Sequence, residues 1–80
     1  MIRCHIIQVS AGNGRVKLEA FVAEMGNPNS STLAYSAPFD PDDAIRRRTA
    51  HSQLGQAVHS YGWVAIAWDD EGLPTDFKRA

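Results

Sequence analysis

The sequence predicts a single α+β domain in which three antiparallel strands, one helix and a fourth strand follow in that order (β-β-β-α-β), with the helix packed on one face of the sheet. Three observations predict this fold. Apolar and polar residues alternate around a glycine-rich turn in the first 24 residues, start and stop signals for a helix lie between Asp40 and Gly62, and an apolar run occupies residues 63–68. Eighty residues suffice for one hydrophobic core, so we assign residues 1–80 to a single domain.

The first two strands are predicted to form a hairpin. Residues 2–10 read as one strand, and residues 15–24 as a second, in which the apolar face begins at Val16 and the polar face contains Lys17. Between them lies the sequence Ala-Gly-Asn-Gly at 11–14, whose glycines and asparagine can adopt positive φ.

The rest of the sheet is less clearly marked. Residues 25–31 have loop composition, and a third strand is expected at 32–37, because Pro38 ends it. The fourth strand, 63–68, is apolar at every position, so both of its faces are expected to be covered. Residues 73–80 are interpreted as a C-terminal tail whose phenylalanine packs onto the domain.

Small residues in the fourth strand suggest a close approach. Ala65 and Ala67 share a face with Trp63, which suits contact with the helix or with another chain. The chain also has more aromatic residues than so small a core can bury, and a homodimer or a partner protein would cover the surplus.

The helix is predicted over residues 40–61. Asp40 is a favourable N-cap, Pro41 suits the first helical position, and the aspartates at 42–43 lie at the positive end of the helix dipole. Gly62 suits the left-handed position that follows the last turn.

At roughly 100° per residue, this helix has a packing face and a solvated face. The packing face is expected to contain Ala50, Leu54, Ala57, Val58 and Tyr61. The solvated face is expected to contain Ser52, Gln56, His59 and Ser60.

Two helix residues do not fit this division. Ile45 falls on the solvated face and is interpreted as packing against Phe39 at the capping turn. Gly55 is either simply tolerated, at about 1 kcal/mol relative to alanine, or marks a flat spot that a partner approaches.

Three consecutive arginines, Arg46, Arg47 and Arg48, resemble a phosphate-binding cluster. Consecutive helical residues point in different directions, and Asp42 and Asp43 precede the first two arginines by four residues. Only Arg48 lacks an acidic residue one turn earlier. A solvated helix surface is therefore the preferred interpretation.

Composition narrows the function classes. A net charge of −1 argues against general binding of nucleic acid or anionic membranes, and no apolar run is long enough to span a bilayer. The N-terminus lacks the features of a secretion signal, and the single cysteine, Cys4, cannot form an internal disulfide. We therefore expect a reduced, cytoplasmic setting.

The sequence contains no recognisable catalytic, cofactor-binding or metal-binding motif. Cys4 and His5 are neighbours on a strand and point to opposite faces, and His51 and His59 lack the i,i+4 spacing of a metal-binding helix. The acidic residues 69–71 lack the alternating ligands of a calcium loop. No enzyme, cofactor or metal is predicted, although a catalytic role for either helix histidine with a distant partner stays open.

Two families have a similar layout. The meander followed by the acidic helix start, F-D-P-D-D-A-I at 39–45, resembles HicB-type antitoxins, although their glycine-rich approach and DNA-binding segment are absent here. Size, charge and element order resemble small phage-encoded anti-CRISPR proteins, most of which act by occupying a surface of a CRISPR effector complex. No motif matches either family, so no functional residue is carried over.

The sequence thus favours a non-enzymatic protein-binding module, most concretely a phage or mobile-element inhibitor of a host effector complex. The alternative is an antitoxin- or regulator-like binder of a toxin or nucleic acid. The candidate partner-binding residues are Arg46, Arg48, Ser52, His59, Asp69, Asp70 and Glu71.

Overall fold

A computed structural model describes residues 2–24 and 30–80 of the chain. The elements are β1 (Ile2–Gly12), β2 (Arg15–Glu24), β3 (Ser30–Tyr35), α1 (Ala44–Ser60), β4 (Trp63–Trp68) and β5 (Pro74–Arg79). They form one five-stranded antiparallel sheet in the order β3-β2-β1-β5-β4. The α+β class is confirmed, but the predicted four-strand order is incomplete.

The fifth strand is the main correction. Residues 73–80 were expected to be a tail, yet β5 lies between β1 and β4 and pairs with both. Phe77 sits opposite Cys4 on one side and Ala65 on the other, and it is almost fully buried. Apolar and polar residues alternate only weakly in this segment. It forms a strand because it pairs with a neighbouring strand on both sides, and its local propensity contributes little.

The β1–β2 hairpin is confirmed. Its turn places Gly12, Asn13 and Gly14 at φ values of 84°, 55° and 73°, which explains the glycine-rich sequence. β1 runs two residues further than predicted, to Gly12, and β2 has the predicted bounds.

The edge strands depart from prediction in different ways. β3 begins and ends two residues earlier than predicted. It ends before Ser36, whose hydroxyl, rather than a backbone carbonyl, accepts the Leu18 N–H at 3.0 Å. Residues 25–29 of the predicted loop lie outside the described residues.

β4 has the predicted bounds, but the expectation that both its faces are covered is wrong. Val64 is 39 % exposed and Trp68 is 57 % exposed, since the helix covers only one face of the sheet.

The helix starts later than predicted. Asp43, not Asp40, is the N-cap, and its carboxylate accepts the Arg46 N–H at 3.0 Å. Pro41 instead lies in a turn closed by the bond from the Asp43 N–H to the Asp40 carbonyl. The helix ends before Gly62, whose φ of 95° matches the prediction.

The core lies between α1 and the sheet. Its buried residues are Cys4, Leu18, Ala20, Phe39, Leu54, Val58, Trp63 and Phe77. Leu54, Val58 and Ala50 pack as predicted, whereas Tyr61 is 57 % exposed, so its assignment to the packing face is wrong.

Phe39 is held in the core by a backbone pairing that the sequence did not predict. Its backbone pairs with Val16 of β2, and Ile45, expected to pack on Phe39, is instead 81 % exposed.

In the described ranges no helix combines the length and apolarity needed to cross a membrane.

Candidate functional site: a groove between the helix and the last hairpin

One side of α1 does not contact the core. Ser52, Gly55, Gln56 and His59 follow the spacing i, i+3, i+4, i+7 and therefore form a stripe beside the packing face. This stripe is one wall of a groove. The opposite wall and floor come from β4, β5 and the turn between them, through Ala65, Gly72, Leu73, Pro74 and Phe77. We call this cavity the helix–hairpin groove; its volume is about 420 Å³.

Small residues create the groove. An alanine methyl group at position 55 would lie 2.9 Å from the Cγ of Pro74, so only glycine allows the helix to approach β5 this closely. Gly55 is thus required by the fold, and the neighbour that approaches it is the protein's own Pro74. Beyond this contact, Ala65 is too short to fill the space under the helix, and the floor remains apolar.

Two histidines connect the helix to the last hairpin. The Nε2 atom of His51 bonds to the carbonyl oxygen of Pro74, and the Nδ1 atom of His59 bonds to that of Trp63 at 3.2 Å. A carbonyl can only accept, so each of these nitrogens carries the proton. The other ring nitrogen of His51 faces the Asp69 carboxylate at 3.9 Å. His51 is therefore joined to the last hairpin through its Nε2 bond and supports the fold.

The acidic turn is ordered by its first residue. The Oδ1 atom of Asp69 accepts the backbone N–H groups of Glu71 and Leu73, each at 2.9 Å. The Leu73 N–H is the main cause that lowers the pKa of Asp69, and the Glu71 N–H and the nearby His51 act in the same direction. This turn fixes Leu73 and Gly72 in the lining of the groove.

An ion pair links the helix to the same turn. The Nε of Arg48 lies 2.9 Å from the Oε2 of Glu71, and this bond raises the pKa of Arg48. Arg48 has no acidic residue one turn earlier in the helix, and its acidic partner lies 23 positions away in sequence. Local spacing along a helix cannot reveal such a contact.

The structure brings most of the candidate contact residues together. Ser52 and His59 line the groove, Arg48 and Glu71 form the adjacent ion pair, and Asp69 shapes the turn that also carries Asp70. Arg46 lies elsewhere. It borders a shallow polar depression with Asp43 and Arg15 on the other side of the helix.

The local ion pairs expected within the arginine run are also replaced. The guanidinium of Arg47 donates to the carbonyl of Pro41 at 2.7 Å and lies 5.8 Å from the centre of the Phe39 ring. In Arg46 it is the backbone N–H that bonds to Asp43. Thus the three arginines do point in different directions, as helical geometry predicts.

Groove residues that the sequence did not single out are Gly72, Leu73, Pro74 and Phe77. The sequence interprets them as part of a tail or a turn. It predicts packing on the domain only for Phe77, which is confirmed, but not a place in a groove. The i, i+3, i+4, i+7 spacing of Ser52, Gly55, Gln56 and His59 is visible in the sequence. This spacing does not by itself predict a groove, because a helical stripe that contains no large apolar residue is usually interpreted as solvated.

Acid–base and thiol groups elsewhere are separated from the groove. Cys4 is fully buried, and burial, followed by the charge of Asp76, raises the pKa of its thiol to about 11. His5, on the opposite face of β1, bonds to Asp76 at 2.8 Å. Within residues 2–24 and 30–80, no group of three or more histidine, cysteine or acidic side chains is arranged to hold a metal ion.

Comparison of the chain with protein-family models, with curated proteins and with solved structures finds no match.

Proposed function

We propose that the chain is a non-enzymatic protein-binding module and that the helix–hairpin groove is its contact surface. The observation that supports this most directly is the composition of the groove. An apolar floor of Leu73, Pro74 and Phe77 lies beside the polar groups of Ser52 and His59. Protein interfaces commonly have an apolar centre surrounded by a polar rim.

The occupant we propose is one large apolar side chain presented by a partner protein. A void of about 420 Å³ exceeds the volume of any single side chain, so a residue and part of its neighbouring backbone fit. Anchor residues of protein interfaces fill pockets of this kind near the centre of the contact. The Arg48–Glu71 pair beside the groove offers both signs of charge for the surrounding polar contacts.

The most specific form of this proposal is an inhibitor, encoded by a phage or mobile element, that occupies a surface of a host effector complex in the cytoplasm. The small size, the near-neutral charge and the absence of a recognisable catalytic motif support it. The bond from the His51 Nε2 to the Pro74 carbonyl commits that nitrogen to a contact within the fold, which also argues against His51 as an acid–base catalyst.

The alternative, a regulator that contacts nucleic acid through the arginine run, has weaker support. Arg48 is paired with Glu71 and Arg47 with a backbone carbonyl, so two of the three guanidinium groups already have partners in the protein. Phosphate binding would have to compete with these contacts.

Co-elution tests the proposal. The purified protein is mixed with candidate effector complexes, CRISPR complexes first, and passed over a size-exclusion column. The groove variant Gln56→Trp and the control Gln53→Trp change the same residue type at exposed positions of one helix, but only Gln56 lines the groove. We expect the wild type and Gln53→Trp to co-elute with a complex, and Gln56→Trp to elute alone.

Two results would overturn the proposal. One is unchanged elution with every complex tried, and the other is co-elution of Gln56→Trp as complete as that of the wild type. A salt-dependent shift of DNA or RNA mobility that is lost in an Arg46→Ala, Arg47→Ala, Arg48→Ala triple variant would replace it with the nucleic-acid alternative.

A further inference from the structure

One ring nitrogen in the helix–hairpin groove is a hydrogen-bond acceptor with a fixed position. His59 lines the groove, and its Nδ1–H donates to the Trp63 carbonyl at 3.2 Å. A neutral imidazole has one protonated nitrogen, so the other, Nε2, has a lone pair and can only accept. Among the bonds of the described residues this Nε2 has no partner. The groove therefore offers an acceptor whose position the backbone of β4 determines.

The other polar side chains of the groove are less selective. The Ser52 hydroxyl and the Gln56 amide can each donate as well as accept, and each can rotate to suit its partner. The His59 ring is instead held by its bond to the Trp63 carbonyl. A fixed acceptor discriminates among occupants, because an occupant without a donor removes water from the acceptor and leaves it unpaired.

The lining of the groove suits a flat ring. Gly55 and Gly72 have no side chain and Ala65 has only a methyl group, so backbone and short side chains form much of the wall. Pro74 and Phe77 add two rings to the floor. Aromatic side chains combine a large apolar surface with preferred contacts to other rings, and tryptophan and tyrosine add a polar atom that finds a partner when it is buried.

We propose that the groove receives a tryptophan side chain of a partner protein, whose indole N–H donates to the Nε2 of His59. This inference rests on the proposed function of the groove and adds the identity of the anchor residue. Indole is the aromatic side chain whose polar atom only donates, so it matches an acceptor that cannot donate. Tryptophan is also the largest side chain, which a groove of about 420 Å³ can hold, and it is enriched among the residues that dominate protein interfaces.

Heteronuclear NMR of the full chain, titrated with capped amino acids, tests this inference without the partner. The probes are N-acetyltryptophanamide and its N-methylindole analogue, which lacks the donor, together with N-acetyltyrosinamide and N-acetylleucinamide. We expect the tryptophan probe to shift the amide resonances of Gly55 and Gly72 and to bind most tightly of the four, about tenfold or more tightly than the N-methylindole analogue. The titrations are run at mildly alkaline pH, because an imidazolium ring donates from both nitrogens and offers no acceptor.

Variants of the helix identify the acceptor. An asparagine amide nitrogen can take the place of the histidine Nδ1, so His59→Asn keeps a donor for the Trp63 carbonyl and has no atom in place of Nε2. This variant should bind the tryptophan probe and its N-methylindole analogue equally. Gln56→Trp, which fills the groove, should bind neither probe. The control Gln53→Trp changes an exposed helix position outside the groove and should keep the wild-type preference.

Several results would overturn this inference. They are a tryptophan probe that shifts no groove resonance, one that binds no more tightly than its N-methylindole analogue, tighter binding of the tyrosine or leucine probe, and a preference for the N–H probe that persists in His59→Asn. The first three need no variant, so they do not depend on the fold of His59→Asn. Co-elution with an effector complex separates the two proposals. If a complex binds through the groove but the tryptophan probe has no preference, only the identity of the anchor is wrong.

Discussion

The same helix covers two halves of the sheet in different ways. Over β1 and β2 it packs apolar side chains, Leu54 and Val58, against Leu18 and Cys4, and these residues are almost fully buried. Over β4 and β5 it also buries Trp63 and Phe77, but beside them polar contacts and the glycine at position 55 join it to the last hairpin, and an open groove remains.

The difference shows how a small domain can use the two sides of its single helix for different roles. Apolar burial supplies most of the folding free energy, and both halves contribute to it, through Leu18 and Cys4 on one side and Trp63 and Phe77 on the other. Histidine and arginine contacts add to this burial where the helix faces the last hairpin. The β4–β5 half can then leave an apolar floor open to a partner.

The largest effect is expected in the β1–β2 half. Leu54→Ala leaves a cavity in the core and should lower the free energy of unfolding by about 2–5 kcal/mol, measured by urea denaturation. The control, Ser52→Ala, lies on the groove side of the same helix and should change it by no more than about 0.5 kcal/mol. Equal losses would show that the helix packs alike on both sides.

The second prediction concerns the contact that separates the halves. Gly55→Ala should lower the free energy of unfolding by about 1 kcal/mol through its collision with Pro74, although alanine is the better helix former. In a Pro74→Ala background the collision is absent, and the same change should become stabilising. If Gly55→Ala changes the free energy of unfolding with the same sign in both backgrounds, the collision between residue 55 and Pro74 is contradicted.

A good part of the fold follows from the sequence. The hairpin turn, the bounds of β2 and β4, and the core positions Leu54 and Val58 are predicted because local patterns determine them. β5 is not, because P-T-D-F-K-R becomes a strand only when β1 and β4 pair with it.

The groove shows the same limit of sequence patterns. Ser52 and His59 are predicted as contact residues, but their neighbours Leu73 and Pro74 are not. The Arg48–Glu71 and His51–Pro74 contacts join residues 23 positions apart, which no helical periodicity reports. Arg46 is predicted as a contact residue within the arginine run, but the helix places it away from the groove.

A smaller effect is expected from the ion pair of the β4–β5 half. Both side chains are more than half exposed, so Arg48→Ala should lower the urea midpoint only slightly. The difference from the wild type should disappear in high salt, because salt screens exposed charges. Arg46→Ala is the matched control, and a loss that persists in high salt would indicate a packing role instead.

The smallest effect is expected from the acidic turn. The pKa of Asp69 is lowered in the folded protein, so its carboxylate stabilises the fold above the pKa of the unfolded chain, about 4, and this contribution is lost as the pH falls through the folded value. Asp69→Asn keeps the accepting oxygen but cannot titrate. Its stability should therefore fall less than that of the wild type between neutral and acidic pH, as followed by thermal unfolding. Parallel curves would exclude a role for this carboxylate.

One matched pair of substitutions tests the two-halves account most directly. Ala20 and Ala65 both lie under the helix, Ala20 within the closed β1–β2 half and Ala65 in the groove. Urea unfolding of Ala20→Leu should show a loss of about 1–3 kcal/mol from overpacking, whereas Ala65→Leu should be as stable as the wild type or more so, because the groove has room for the larger side chain. Equal destabilisation by the two leucines would show that the β4–β5 half is as tightly packed as the other, and the groove could not then receive a partner.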